Sequence, residues 1–108
     1  MLVKELDSLG LTAISLPSPD REIEGVYIGD LLSWVMGKAT ENDAWITIMS
    51  NVNVIAVASL SDVSVIILAE GVVFDDDVLT LAKDKSINVF TTPLSAYEVA
   101  TRLYDAIK

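Results

Sequence analysis

The sequence predicts an α/β fold, a three-layer sandwich with a mainly parallel central sheet. Two patterns support this prediction. Several predicted strands are apolar at nearly every position, which is typical of parallel strands covered on both faces. These strands alternate with helical patterns over the last two-thirds of the 108-residue chain. The length suits one hydrophobic core, so residues 1–108 are expected to form a single domain.

The N-terminal part of the chain is predicted to contain one helix and two short strands. Leucine and valine at helical spacing indicate a helix over residues 2–9 that ends at Gly10. Strands are predicted over residues 12–16 and 26–28, and the polar segment between them contains two prolines.

A second helix is predicted directly after the strand at residues 26–28. Asp30 is a suitable N-cap for a helix over residues 31–36, and Gly37 is expected to end it. The residues expected to form its buried stripe are Leu31, Leu32, Val35 and Met36.

The central stretch is predicted to form a strand, a helix and a second strand. Apolar and β-branched residues indicate buried strands over residues 44–49 and 63–68. Both helical and strand periodicity fit residues 52–60, because nearly every residue there is apolar. A helix is favoured because Asn51 or Asn53 can cap it, and because a helix is the usual crossover between parallel strands.

The last third is predicted to add two helices around one strand. Residues 74–77 open the first helix, whose early acids suit the positive end of the helix dipole. A strand is predicted over residues 87–90, and Ser95 with Glu98 forms a capping box for the terminal helix. The residues expected on the buried face of that helix are Ala96, Val99, Ala100, Leu103 and Ile107.

The composition is apolar for so short a chain and strongly acidic. Hydrophobic residues make up 52% of the sequence and the mean hydropathy is +0.50. Two explanations remain open: a homodimer interface, or a parallel sheet that needs apolar residues on both faces. The net charge of −9 opposes binding to nucleic acid or to anionic membranes, so neither is predicted as a partner.

Two residue types that often carry chemistry are missing from the sequence. There is no cysteine and no histidine, which excludes disulfides, thiolate nucleophiles, zinc sites of the Cys/His type and a histidine base. No cofactor and no metal site are predicted, and no carboxylate pair stands out as catalytic. With no signal-like N-terminus and polar residues interrupting residues 52–69, a cytoplasmic protein is expected.

Five segments, at residues 28–36, 45–48, 53–58, 64–71 and 75–103, carry a family resemblance. In them the sequence resembles a stand-alone DRTGG domain, a family related in fold to the N-terminal domain of HPr kinase/phosphorylase. The resemblance implies the same fold and a regulatory or ligand-sensing role. Kinase activity is not implied, because it belongs to another domain with a phosphate-binding loop, and no such loop occurs here.

The chain departs from the motif after which the family is named. Residues 50–53, Ser-Asn-Val-Asn, stand where Asp-Arg is expected after the first buried strand. Residues 69–71, Ala-Glu-Gly, stand where Thr-Gly-Gly is expected after the next. The missing arginine and small residues weaken any phosphate binding that the resemblance would otherwise imply.

The carboxyl ends of parallel strands are where ligands bind in open α/β sheets, and the candidate site is placed there. The candidate ligand-binding residues are Gly29, Asp30, Ser50, Asn51, Asn53, Glu70, Gly71, Thr91 and Thr92. Each has a structural alternative, because Asp and Asn cap helices and Gly and Thr occur in turns. Trp34 and Trp45 are interpreted as core or dimer-interface residues. An anionic ligand, a nucleoside-like ligand and no ligand remain open, since acids near this edge oppose phosphate.

These observations favour a non-catalytic regulatory or sensory domain that forms a homodimer and binds a small metabolite or nucleotide. The alternative is a protein-interaction module whose acidic surface docks on a partner enzyme without any small ligand. A small enzyme that uses carboxylates is a third and weaker hypothesis.

Overall fold

The computed structural model of the protein describes residues 1–107 as five strands, four α-helices and one 3-10 helix. The 3-10 helix spans Val3–Leu9. The strands are β1 (Thr12–Ser15), β2 (Gly25–Ile28), β3 (Asp43–Thr47), β4 (Val65–Leu68) and β5 (Val89–Thr91). The α-helices are α1 (Leu32–Lys38), α2 (Asn53–Ser61), α3 (Asp76–Asp84) and α4 (Ala96–Ile107).

The five strands form one sheet in the order β1-β5-β4-β3-β2. The pairs β2–β3, β3–β4 and β4–β5 are parallel, and among the strands of residues 1–107 only β1 runs the opposite way, paired with β5. The mainly parallel sheet is therefore confirmed. Because β2 is the last strand at its end of the sheet, one of its edges has no partner strand.

Helices cover both faces of the sheet, which gives the three layers that the sequence predicts. On one face α1, α2 and α3 pack against side chains such as Trp45 and Ile66. On the other face the 3-10 helix and α4 pack against side chains such as Ile46 and Ile67. Residues of β3 and β4 are buried on both faces, which explains why these strands are apolar at successive positions.

The helical crossover between β3 and β4 is confirmed. Helix α2 spans Asn53–Ser61, and Asn51 Oδ1 accepts a hydrogen bond from the Asn53 backbone N–H at 2.9 Å. The capping box is also present, since Ser95 and Glu98 each accept from the other's backbone N–H, at 3.2 and 3.1 Å. Gly10 ends the first helix in the left-handed conformation, with a φ of 86°.

Helix α1 differs from its prediction at both ends. It begins at Leu32 with Leu31 as N-cap residue, and no side chain caps it. Asp30 does not act as the cap, because its carboxylate bonds to the end of β3 instead. The helix continues through Gly37 to Lys38.

The predicted buried stripe of α1 is right at two of its four positions and wrong at the other two. Val35 is buried and Leu32 is half-buried, whereas Leu31 and Met36 are exposed. The cause is the position of the helix near the end of the sheet, since α1 contacts α2 and leaves its outer side uncovered. Within residues 1–107, no helix is both long and apolar enough to cross a membrane.

Candidate functional site

The carboxyl ends of the four parallel strands lie in a row along one edge of the sheet, in the order β5, β4, β3, β2. Each strand end is followed by part of the predicted site. Strands in a sheet are separated by about 4.8 Å, so three spacings place the ends of β5 and β2 about 14 Å apart. The predicted residues therefore share one edge without forming one compact pocket.

At the β5 and β4 end of the row, backbone hydrogen bonds join the two loops. Gly71 N–H donates to Thr92 C=O at 2.9 Å, and Glu70 N–H donates to Leu94 C=O at 2.9 Å. The Thr91 hydroxyl donates to Val72 C=O at 2.7 Å. These polar groups thus form hydrogen bonds within the protein, which supports the turn interpretation of Thr91 and Thr92.

Glu70 adopts an unusual backbone conformation at this edge. Its φ is 59°, and the next residue, Gly71, has a φ of 77°. Left-handed conformations cost little for glycine and more for residues with a Cβ atom. The glutamate therefore occupies a backbone position that favours glycine, and its side chain is exposed.

The residues that follow β3 face solvent. Ser50, Asn51 and Asn53 are exposed, and Asn51 caps α2 as described above. Asn53 lines two shallow grooves, one between α1 and α2 of about 630 Å³ and one between α2 and α3 of about 320 Å³. Asn51 thus has a structural role, and Asn53 contributes to the lining of both grooves.

The Gly29–Asp30 turn is bonded to the end of β3. Asp30 Oδ1 accepts from the Thr47 hydroxyl at 2.8 Å and from the Ile48 N–H at 3.0 Å. Gly29 C=O accepts from the buried Trp45 indole N–H at 2.9 Å. These three hydrogen bonds fix the turn and orient the Asp30 carboxylate.

A cleft lies beside this turn, at the β2 end of the row of strand ends. It has a volume of about 390 Å³ and is lined by Tyr27, Ile28, Gly29, Asp30, Leu31 and Trp34; we call it the Trp34 cleft. A Cβ atom at Gly29 would lie 2.8 Å from Tyr27 Cε2, so only glycine lets the tyrosine ring pack against this turn. The volume lies within the range of small-molecule sites.

Trp34 lines this cleft and Lys38 lies beside the Trp34 ring, and neither residue is part of the predicted site. The Trp34 side chain is 60% exposed, whereas Trp45 is fully buried. The Lys38 ammonium lies 5.5 Å from the centroid of the Trp34 ring, within cation–π distance. Their spacing of one helical turn is visible in the sequence, but the exposure of Trp34 depends on where α1 lies on the sheet.

A second apolar concavity, the β2–α4 groove, lies on the opposite face of β2. It has a volume of about 550 Å³ and is lined by Gly25, Val26, Tyr27, Ile28, Ala100, Tyr104 and Ile107. None of the lining side chains within the described residues 1–107 is charged. Val26 and Ile28 are exposed although their partners in β3, Ala44 and Ile46, are buried in the core.

Metal ligands do not cluster in the part of the chain that the structure describes. Among residues 1–107, no group of three or more acidic side chains is placed to hold a metal ion together. The groups available to a ligand at the Trp34 cleft are the Trp34 ring, the fixed Asp30 carboxylate and the nearby Lys38 ammonium group.

The fold has a solved structural relative. It is similar to the CBS and DRTGG domains of the regulatory region of Clostridium perfringens pyrophosphatase, which was solved in complex with the activator diadenosine tetraphosphate. The TM-score is 0.72 at 21% sequence identity, over 93% of this chain and 44% of that one. This chain therefore spans less than half of its relative, and the likeness shows the fold.

Sequence comparison gives the family. No curated protein matches the sequence significantly. The family model for the DRTGG domain matches residues 13–106, which is most of the chain. The protein therefore belongs to the DRTGG domain family.

Proposed function

We propose that this protein is a non-catalytic regulatory domain that forms a homodimer and binds a small metabolite or nucleotide at the carboxyl ends of its parallel strands. The observation that carries the proposal is the Trp34 cleft, which lies at that edge beside a carboxylate fixed by two hydrogen bonds. Binding would act by favouring one assembly over another.

The structural relative supports a regulatory role. Its DRTGG domain lies in the regulatory region of a pyrophosphatase, and that region binds a nucleotide activator. In the same way, binding of a small molecule to the present domain would change the activity of a partner enzyme.

The β2–α4 groove supports the homodimer and is the face we assign to a second copy of this chain. Two copies that each carry a charge of −9 repel each other, so contact is favoured at a surface such as this groove, whose lining within residues 1–107 carries no charged side chain. The free edge of β2 can also pair with its own copy across a two-fold axis, which is a closed and symmetric arrangement.

Sedimentation analysis over a range of concentrations tests the dimer. The wild type should sediment as a dimer, and Val26→Lys should sediment as a monomer because the lysine places a charge in the groove and on the edge strand. Leu60→Lys is the matched control, since Leu60 is 72% exposed on α2 and lies away from the groove. A wild type that is monomeric throughout, or a dimeric Val26→Lys, contradicts the assignment.

Thermal unfolding with a panel of nucleotides and phosphorylated metabolites tests ligand binding. A ligand at 100 times its dissociation constant stabilises a folded domain by about 2.7 kcal/mol, so a true ligand at millimolar concentration should raise the midpoint clearly. A panel in which no compound raises the midpoint argues against a small-molecule sensor.

That negative result would favour the second candidate function, a protein-interaction module. The observation behind it is the acidic start of α3, where Asp75, Asp76 and Asp77 are all exposed. Such a surface suits a basic face of a partner enzyme, and its binding would weaken steeply with added salt.

A further inference from the structure

From the chemical groups at the Gly29–Asp30 turn and along α1, we propose that the Trp34 cleft binds a nucleoside monophosphate whose base carries an exocyclic amine, such as adenosine monophosphate. The proposal rests on the proposed function, because it names the ligand class of that same strand-end site. Three residues four positions apart carry it: Asp30, Trp34 and Lys38. They present a carboxylate, an aromatic ring and an ammonium group in that order.

The aromatic ring is available for stacking. Trp34 is 60% exposed and lines the cleft together with Tyr27. Every nucleobase has a flat face that stacks on an aromatic side chain, and such contacts are a common means of holding a base. Lys38 lies 5.5 Å from the centre of the same ring, which makes this place unfavourable for a cationic ligand.

The carboxylate has one oxygen free to accept a hydrogen bond. Asp30 Oδ1 already accepts from Thr47 and Ile48, and within residues 1–107 no hydrogen bond reaches Oδ2. An ionised carboxylate only accepts hydrogen bonds, so it selects a donor and disfavours a carbonyl oxygen. The amine at C6 of adenine is such a donor, whereas the same position of hypoxanthine carries an oxygen.

The ammonium group of Lys38 lies next to the Trp34 ring, 5.5 Å from its centroid. Trp34 and Lys38 are separated by one helical turn, about 6 Å along the axis. A base that stacks on Trp34 with its amine toward Asp30 directs its sugar and phosphate toward Lys38. One lysine offsets one phosphate, and the acidic chain opposes a longer polyphosphate, so the monophosphate is preferred.

The test compares adenosine monophosphate with inosine monophosphate by isothermal titration; the inosine base replaces the C6 amine with a carbonyl oxygen and carries a hydrogen on N1. The wild type should bind the adenosine form at least about tenfold more tightly. Asp30→Asn should reverse this preference, because its amide keeps an oxygen for Thr47 and Ile48 and offers an N–H to the inosine oxygen. Lys38→Gln should remove the advantage of adenosine monophosphate over adenosine.

Stacking has its own matched pair of variants. Trp34→Ala should weaken binding of adenosine monophosphate by about tenfold or more. Tyr97→Ala should leave it unchanged, since Tyr97 is an aromatic residue that is 76% exposed on α4, on the other face of the sheet.

The possible failures are distinguishable. Nucleotide binding that is insensitive to Trp34→Ala and to Asp30→Asn places the ligand elsewhere on the strand-end edge, and this inference falls while the proposed function stands. Equal affinity of the wild type for the adenosine and inosine forms also overturns it. If neither these nucleotides nor the wider metabolite panel stabilises the protein, the small-molecule sensor falls as well.

Discussion

Glu70 has a Cβ atom but adopts a left-handed backbone conformation, which favours glycine. A left-handed φ of 59° costs roughly 1–2 kcal/mol for a residue with a Cβ atom. Glycine avoids that cost but loses more conformational entropy on folding, by roughly 0.5–1 kcal/mol. We therefore expect Glu70→Gly to raise the free energy of unfolding by about 0.5–1 kcal/mol in urea titrations.

A matched glycine substitution separates strain relief from any general effect of losing an acid. Glu41 is also an exposed glutamate in a turn, and its φ is not in the left-handed region. Glu41→Gly should therefore lower the stability, since only the entropic cost remains. Equal effects of the two substitutions would contradict the conformational explanation.

Glu98 makes stability depend on pH through the capping box at the start of α4. Hydrogen bonds from the Ser95 backbone N–H and, secondarily, its hydroxyl lower the pKa of the Glu98 carboxyl. A lowered pKa in the folded state means that the contribution is present above the ordinary value of about 4.3 and is lost as the pH falls below it. Glu98→Gln should be less stable than wild type at pH 7, and the difference should shrink as the pH is lowered to 3.

Denaturant unfolding followed by circular dichroism at the two pH values measures this difference. Glutamine can still accept the Ser95 N–H bond, so the comparison isolates the charge. A gap between the two proteins that is the same at pH 7 and pH 3 would contradict the assignment.

At the scale of elements, Arg21 joins the loops at the amino ends of the strands. Its guanidinium donates to Asn42 Oδ1 at 3.1 and 3.3 Å and pairs with the Asp62 carboxylate at 2.8 Å. Hydrogen bonds of charged groups contribute about 1.5–3 kcal/mol when one partner is removed. Because its side chain is only 27% exposed, Arg21→Ala should lower the unfolding free energy by about 1–3 kcal/mol.

The lysine at position 4 provides the comparison for this element-level effect. Lys4 pairs with Asp20 at 2.9 Å, but both side chains are largely exposed. Exposed pairs contribute little to stability, so Lys4→Ala should leave the unfolding midpoint nearly unchanged. Arg21→Lys should recover only part of the loss, since an ammonium group cannot reproduce the planar guanidinium contacts. Loss of stability in Lys4→Ala as large as in Arg21→Ala would contradict this account.

Helix α1 shows why the candidate site could be predicted only in part. The sequence places Gly29 and Asp30 at the end of β2, and the structure brings both to the Trp34 cleft. The sequence shows that Leu31, Trp34 and Met36 are apolar residues of a predicted helix. It does not show whether another element covers their side chains. That depends on the position of β2 at the end of the sheet, which is a property of the whole topology.

At the scale of the molecule, the parallel sheet could be predicted because its signal is local. Burial on both faces requires apolar residues at successive positions of β3 and β4, and the sequence shows them. Much of the apolar excess is explained by this sheet. Val26 and Ile28 are exposed, so some apolar surface also remains outside the core. A homodimer interface and a sheet covered on both faces are therefore compatible explanations of the apolar composition.

The last prediction concerns coupling between the two concavities on β2. Tyr27 and Ile28 line both the Trp34 cleft and the β2–α4 groove, so anything that fixes β2 on one side acts on the other. A dimer that covers the groove should bind adenosine monophosphate more tightly than the monomer. Linkage requires the nucleotide to tighten the dimer by the same factor, typically about 5–150-fold.

Sedimentation with and without nucleotide measures how much the nucleotide tightens the dimer. Separate nucleotide titrations of the wild type and of Val26→Lys measure how much the dimer tightens nucleotide binding. Both measurements should return the same factor, and Leu60→Lys should behave as wild type in both. A monomeric Val26→Lys that binds the nucleotide with wild-type affinity would show that the two sites are independent. Regulation would then require a contact outside β2, because population shift needs a ligand that distinguishes the two states.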